Sequence, residues 1–246
     1  MAQQESLSLV RISVRNLVEF VMRSGDLDDR RTAGARKEAM QAGSRLHRKI
    51  QRRMGAGYQA EVILKHGVKE DKFELLIEGR ADGIITEPAG VTIDEIKCIY
   101  MDLKRMDRPE PAHLAQALCY GYMYTAAHGL ETIGIQITYC NIETEEIRRF
   151  QEIKTREELE SWFSGLIHEY VKWARYLYHH RLRRQACLKE LEFPYAYRKG
   201  QKELAALCVS NHCPGEKSLY PGSHRGRKDP LYHISQLKSH GGGIRG

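Results

Sequence analysis

Glu95 and Lys97 stand two residues apart in the run Val91-Thr92-Ile93-Asp94-Glu95-Ile96-Lys97-Cys98-Ile99, and Asp82 precedes them by a short stretch. On an extended strand side chains alternate between faces, so Glu95 and Lys97 project together while Asp94 projects the other way. A carboxylate beside an ammonium can hold a divalent cation and, next to it, orient a water or stabilise charge on a phosphate. Between Asp82 and this pair lies Glu87-Pro88-Ala89-Gly90, a tight turn in which proline fixes φ and glycine accepts positive φ. The flanking segments are therefore adjacent antiparallel strands, and Asp82 can supply a second carboxylate. Hard oxygen ligands select Mg²⁺ or Mn²⁺ over zinc. E-x-K alone is a weak signal, because a solvated ion pair on a half-buried strand has the same spelling. Asp94, on the opposite face, is expected to be dispensable.

The elements that must position these residues follow from apolar periodicity. Residues 12–25 read as a short helix with Ser13 as N-cap, Leu17 and Val21 on one face and Gly25 as its stop. A second helix over 34–54 carries an apolar face of Ala39, Met40, Gly43, Leu46, Ile50 and Met54, with His47 beside it. After Gly55 and Gly57 the period becomes strand-like near 59–66, 72–78, 82–86 and 91–99, a meander. A helix over 112–128, stopped by Gly129, precedes two strands near 132–140 and 146–153. Thr155 and Glu158 spell a capping box that opens a long helix. Its stripe of Leu159, Trp162, Phe163, Leu166, Tyr170, Trp173 and Leu177 is expected to be core. The basic run His179 to Arg184 reads as a solvated helix end.

Three motifs occur together in order. Gly79-Arg80-Ala81-Asp82-Gly83, then the turn, then Ile93-Asp94-Glu95-Ile96-Lys97 resembles the G-x-x-D and (D/E)-x-K signature of RecB-like nucleases, the PD-(D/E)xK superfamily. Gly43-Ser44-Arg45-Leu46-His47 is similar to that family's upstream histidine motif, and Gln116-Ala117-Leu118-Cys119-Tyr120 to its Q-x-x-x-Y motif. The resemblance spans about residues 40–140. It implies an α/β, restriction-endonuclease-like core: a central mixed β-sheet flanked by helices, with a long C-terminal helix. It further implies a Mg²⁺- or Mn²⁺-dependent deoxyribonuclease with Asp82, Glu95 and Lys97 as catalytic residues. Asp82, Glu95 and the Ile96 carbonyl would hold the ion, with His47 as an additional ligand. Lys97 would position the attacking water, Gln116 would orient the core of the site, and Tyr120 would help hold DNA that is single-stranded or has free ends. Glu61 lies within reach by sequence but outside this expected set. Some RecB-like nucleases, including CRISPR-associated adaptation nucleases, carry an iron–sulfur cluster with one cysteine ahead of the histidine motif. Here the first cysteine is Cys98, so no iron–sulfur cluster is expected.

Composition sets the frame. The 246 residues are 41% hydrophobic and 29% charged, which suits one main domain. Six cysteines form no C-x-x-C pair. The net charge of +7 invites a nucleic-acid partner, but a net four of those seven charges lie after Ser210. No long apolar run and no charged-then-apolar leader are seen, so a soluble, cytoplasmic protein without a membrane partner is expected.

Phe193 to Gln201 resembles the opening of a DinG/XPD-type helicase motor, whose Q motif would place Arg198 and Gln201 against adenine. No P-loop follows, so ATP hydrolysis is not expected. Tyr220 to Pro230 can be back-translated so that reading one base later gives I-Q-A-P-T-G-V-G-K-T, a complete P-loop. The expected layout is a nuclease domain over 1–190, the start of a motor over 191–209, and an out-of-frame tail over 210–246. The chain would then be the front of a helicase-nuclease for DNA repair or processing. The alternatives are a catalytically inert DNA-binding fragment and a CRISPR-associated RecB-like nuclease without a cluster.

Overall fold

The computed structural model describes residues 8–23, 33–190 and 195–204, with backbone alone for 33–39 and 188–190. Gly25, the Ala39 side chain and the expected frame change near Val209 fall outside what is described. A compact unit covers Met1–Ala174, and a second covers Arg175–Gly246.

The first unit is built on β3 (Phe73–Glu87), one strand where the sequence suggested two. Gly79 and Gly83, which punctuate the apolar run, do not break it. On one edge β2 (Tyr58–Lys69) pairs antiparallel along its length. The other edge is shared: β1 (Ser8–Ser13), which the sequence reading missed, runs parallel to residues 73–78, and β4 (Gly90–Ile99) runs antiparallel to residues 83–87. Residues 79–82 pair with neither. β5 (Thr132–Asn141) lies parallel to β4, and β6 (Ile147–Thr155) closes the mixed six-stranded sheet.

Helices cover both faces, and the molecule is thus α/β with a mixed sheet flanked by helices. α1 (Val14–Val21) starts on Ser13, whose Oγ accepts from Asn16 N at 3.1 Å, and it ends at Met22 rather than Gly25. α2 (Ala33–Arg53) lays Leu46 and Ile50 on Ile96 and Cys140. α3 (Pro111–His128) packs on the other face, where a Cβ at Gly121 would come within 2.6 Å of Ile135. Gly129, at φ 66°, ends it in the left-handed region. α4 (Arg156–Glu190) opens on the expected capping box, with Thr155 N donating to Glu158 Oε2 at 2.8 Å and Glu158 N to Thr155 Oγ1 at 3.2 Å. Among the described residues no helix is long and apolar enough to cross a membrane.

Two apolar stripes are shorter than expected. Met40 is 65% exposed, whereas Gly43, three residues on, faces Cys98, which a Cβ there would meet at 3.6 Å. Trp173 and Leu177 are 46% and 48% exposed. Buried packing along α4 ends with Tyr170 and Ala174, and Trp173 keeps an edge contact with Phe20 at 5.5 Å.

Candidate metal centre

Where β1 and β4 part along β3, the four residues Gly79–Asp82 face a gap instead of a neighbouring strand. Asp82 uses it. Its Oδ2 accepts from Ile96 N at 2.8 Å, bridging to β4 just past the point where β3–β4 pairing ends at Asp94. Its Oδ1 lies 3.2 Å from His47 Nε2, delivered by α2. One turn further along α2, Gln51 Nε2 donates to the Asp82 carbonyl at 2.9 Å and to Glu61 Oε1 at 3.2 Å.

Glu95 and Lys97 project together, as strand alternation requires. Lys97 Nζ donates to Glu95 Oε1 and to Gln116 Oε1 on α3, both at 2.7 Å. An ammonium has three donors, so one is left to point at a ligand. The Glu95 side chain is only 5% exposed, and its Oε2 has no hydrogen-bond partner. Burial, and then the charge of Asp82, push the Glu95 carboxyl well above the usual carboxylate range, while Lys97 pulls the other way. His47 is raised from its ordinary value, chiefly by its hydrogen bond to Asp82.

These residues fit a divalent cation. A carboxylate oxygen buried without a donor is costly to hold, and a cation is the partner that a carboxylate accepts best. One ligand atom from each of His47, Glu61 and Asp82 lies within 4.8 Å of the others. Glu61 thus stands with His47 and Asp82 in a group that does not include Glu95, whereas the sequence pointed to Glu95 and left Glu61 out. It holds φ at 58°, a conformation unusual outside glycine, and its carboxylate pairs with Arg80 at 2.6 Å. The signal was available: a β2–β3 hairpin turning at Asp71-Lys72 puts Glu61 opposite Asp82.

Other expectations fare differently. Gln116 does hold Lys97. Tyr120 is only 6% exposed, a Cβ at Gly79 would lie 2.8 Å from its ring, and burial, then the charges of Glu95 and Asp82, raise its hydroxyl above its ordinary value. Asp94 points away from the gap as expected, yet it is fully buried and not free. It accepts from Gln136 Nε2 at 2.8 Å and from Thr138 Oγ1 at 2.6 Å, with the Tyr58 hydroxyl at 3.4 Å. Arg198 and Gln201 belong to the second unit, where Gln201 Oε1 caps Arg198 N at 2.8 Å, a local turn.

No protein-family model and no curated protein matches the chain. Solved structures do. The crystal structure of SSO0001 aligns over 72% of this chain and 79% of that one, with 17% identity and a TM-score of 0.45. An alkaline exonuclease, LHK-Exo from Laribacter hongkongensis, aligns over 70% of this chain and 94% of its own at 16% identity and a TM-score of 0.40. The same exonuclease in complex with dAMP gives 16% identity and a TM-score of 0.41.

Proposed function

We propose that this chain is a divalent-metal-dependent deoxyribonuclease of the PD-(D/E)xK type, acting on DNA that is single-stranded or has free ends. The observation that carries the reading is that three elements, β3, β4 and α2, bring Asp82, the Glu95–Lys97 pair and His47 together at the gap in β3's edge. Asp82, Glu95 and His47 would hold the ion, with Glu61 and the Ile96 carbonyl as further oxygen donors. When bound, the ion supplies positive charge that polarises the scissile phosphodiester and favours ionisation of the attacking water.

The chain's own residues do the rest. Gln116 and Glu95 fix the Lys97 ammonium, so its remaining N–H can hold a water or a phosphate oxygen in place. That water gives up a proton to solvent and attacks phosphorus, the P–O bond opposite it breaks, and the departing oxygen takes a proton from solvent. Ile96 N, donating to Asp82 Oδ2, holds that carboxylate at the gap.

The test is cleavage of end-labelled single-stranded DNA with Mg²⁺ or Mn²⁺, read against Lys97→Ala and Asp82→Asn. Each variant is expected to lose at least about 100-fold in rate. No cleavage by the native sequence, or cleavage indifferent to both substitutions, would sink the reading. The first outcome would favour an inert DNA-binding fragment. A motor partner or a repair role rests on the helicase resemblance of residues 193–201 and on the shifted P-loop alone.

A further inference from the structure

α2 carries three different surfaces. Successive residues on a helix step round its axis by about 100°, so residues four apart share a face. Leu46 and Ile50 enter the core against Ile96. One step round, His47 and Gln51 face Asp82. Beyond them Arg45, Arg48, Lys49 and Arg52 stand at i, i+3, i+4 and i+7, and with Arg53 they line a groove of about 480 Å³. Lys49 pairs with Glu145, and Arg48 Nε donates to the Ser44 carbonyl at 3.2 Å. Arg45, Arg48, Arg52 and Arg53 are exposed, and among the described residues none has a carboxylate within ion-pairing distance.

Nothing about folding calls for that stripe. Like charges four residues apart oppose helix formation, and the helix already has its core face. Guanidinium groups in a row do match a row of phosphates, which they can grip through two N–H groups at once. The stripe runs about 12 Å along the axis at the usual rise per residue, enough for two to three phosphates of an extended strand. Position ties it to the site, since Arg48 directly follows His47.

We infer that the arginine face of α2 is the phosphate track along which a single DNA strand is held, laying a phosphodiester beside His47 and Asp82. Taking DNA as the ligand rests on the proposed nuclease function. The residues here are outside the catalytic set, so the two ideas can fail separately.

The experiment is fluorescence anisotropy with a fluorescein-labelled single-stranded oligodeoxynucleotide, in EDTA so that nothing is cut, over a salt series. The double variant Arg48→Ala/Arg52→Ala should bind at least about tenfold more weakly at low salt. Its log affinity against log salt should be shallower by about 1.4, the value for two lost phosphate contacts on a single strand. Arg48→Lys/Arg52→Lys should keep the slope. Mn²⁺ affinity of both variants should equal that of the native sequence, which shows the fold and cation site intact. If the double alanine variant misfolds, Arg45→Ala alone should shallow the slope by about 0.7. Native affinity and slope in the alanine variants, or no oligonucleotide binding by the native chain, would overturn the inference. A chain that binds with this salt dependence but does not cut sinks the nuclease reading alone. One that cuts while the alanine variants bind normally sinks the phosphate track alone.

Discussion

Asp94 and Glu95 are neighbours of one charge type with opposite environments. Asp94 is buried among donors. Its replacement by alanine strands Gln136 Nε2 and Thr138 Oγ1 without their acceptor, which should cost about 1–3 kcal/mol of stability while Mn²⁺ stoichiometry stays at the native value. Urea unfolding measures the first and calorimetric titration the second; unchanged stability would restore the expectation that Asp94 is dispensable. Glu95 and His47 titrate in a linked way. Both sit above their unfolded values, roughly 4.3 and 6.5, so without a cation their combined contribution to stability declines as pH rises through the folded values. A cation needs both deprotonated. Mn²⁺ affinity should therefore rise from about pH 6 to about pH 8, with protons released on binding, seen as a buffer-dependent heat. A pH-independent affinity would remove His47 and Glu95 from the ligand set.

At the scale of elements, α3 matters because it delivers Gln116 to Lys97, and Tyr139 anchors its start. The Tyr139 hydroxyl accepts from Glu110 N at 2.9 Å and donates to His113 Nδ1 at 2.9 Å. His113 must be neutral to accept, and burial depresses it to about 4. Its contribution is thus fully present above the unfolded value of roughly 6.5 and is lost as pH falls toward about 4. His113→Gln should weaken the loss of stability between about pH 7 and pH 5; equal pH dependence in both proteins would refute this. On the opposite face, a Cβ at Gly83 would sit 2.0 Å from the Tyr58 ring. Gly83→Ala should cost about 1–3 kcal/mol in urea unfolding, and no cost would mean that Tyr58 moves freely.

Much of this level was legible in the sequence. Ser13, Gly129 and the Thr155/Glu158 pair marked helix ends by local chemistry, and the Pro88-Gly90 turn set Asp82 beside the Glu95 strand. What stayed hidden was nonlocal. β1 is six residues with no turn before α1, and its partner begins at Phe73. Asp94's burial comes from β5, far along the chain. The basic face of α2 was masked by reading net charge over the whole chain instead of by helix position.

For the whole molecule, the remaining expectation concerns the gene. Nucleotides spanning Tyr220 to Pro230 should encode I-Q-A-P-T-G-V-G-K-T one base later, and sequencing decides it: a gene that cannot encode that motif in the shifted frame ends the idea of a displaced motor. The gap on β3's edge bears on how the site comes into being. Asp82, Glu61 and Glu95 all belong to the β2–β3–β4 meander, joined by short turns whose loops close quickly. β1 must pair with a strand that begins some sixty residues later, which is slower by topology. The carboxylates would therefore gather before the sheet is complete, and a cation captured by them would stabilise the half-built sheet while β1 is still finding its place.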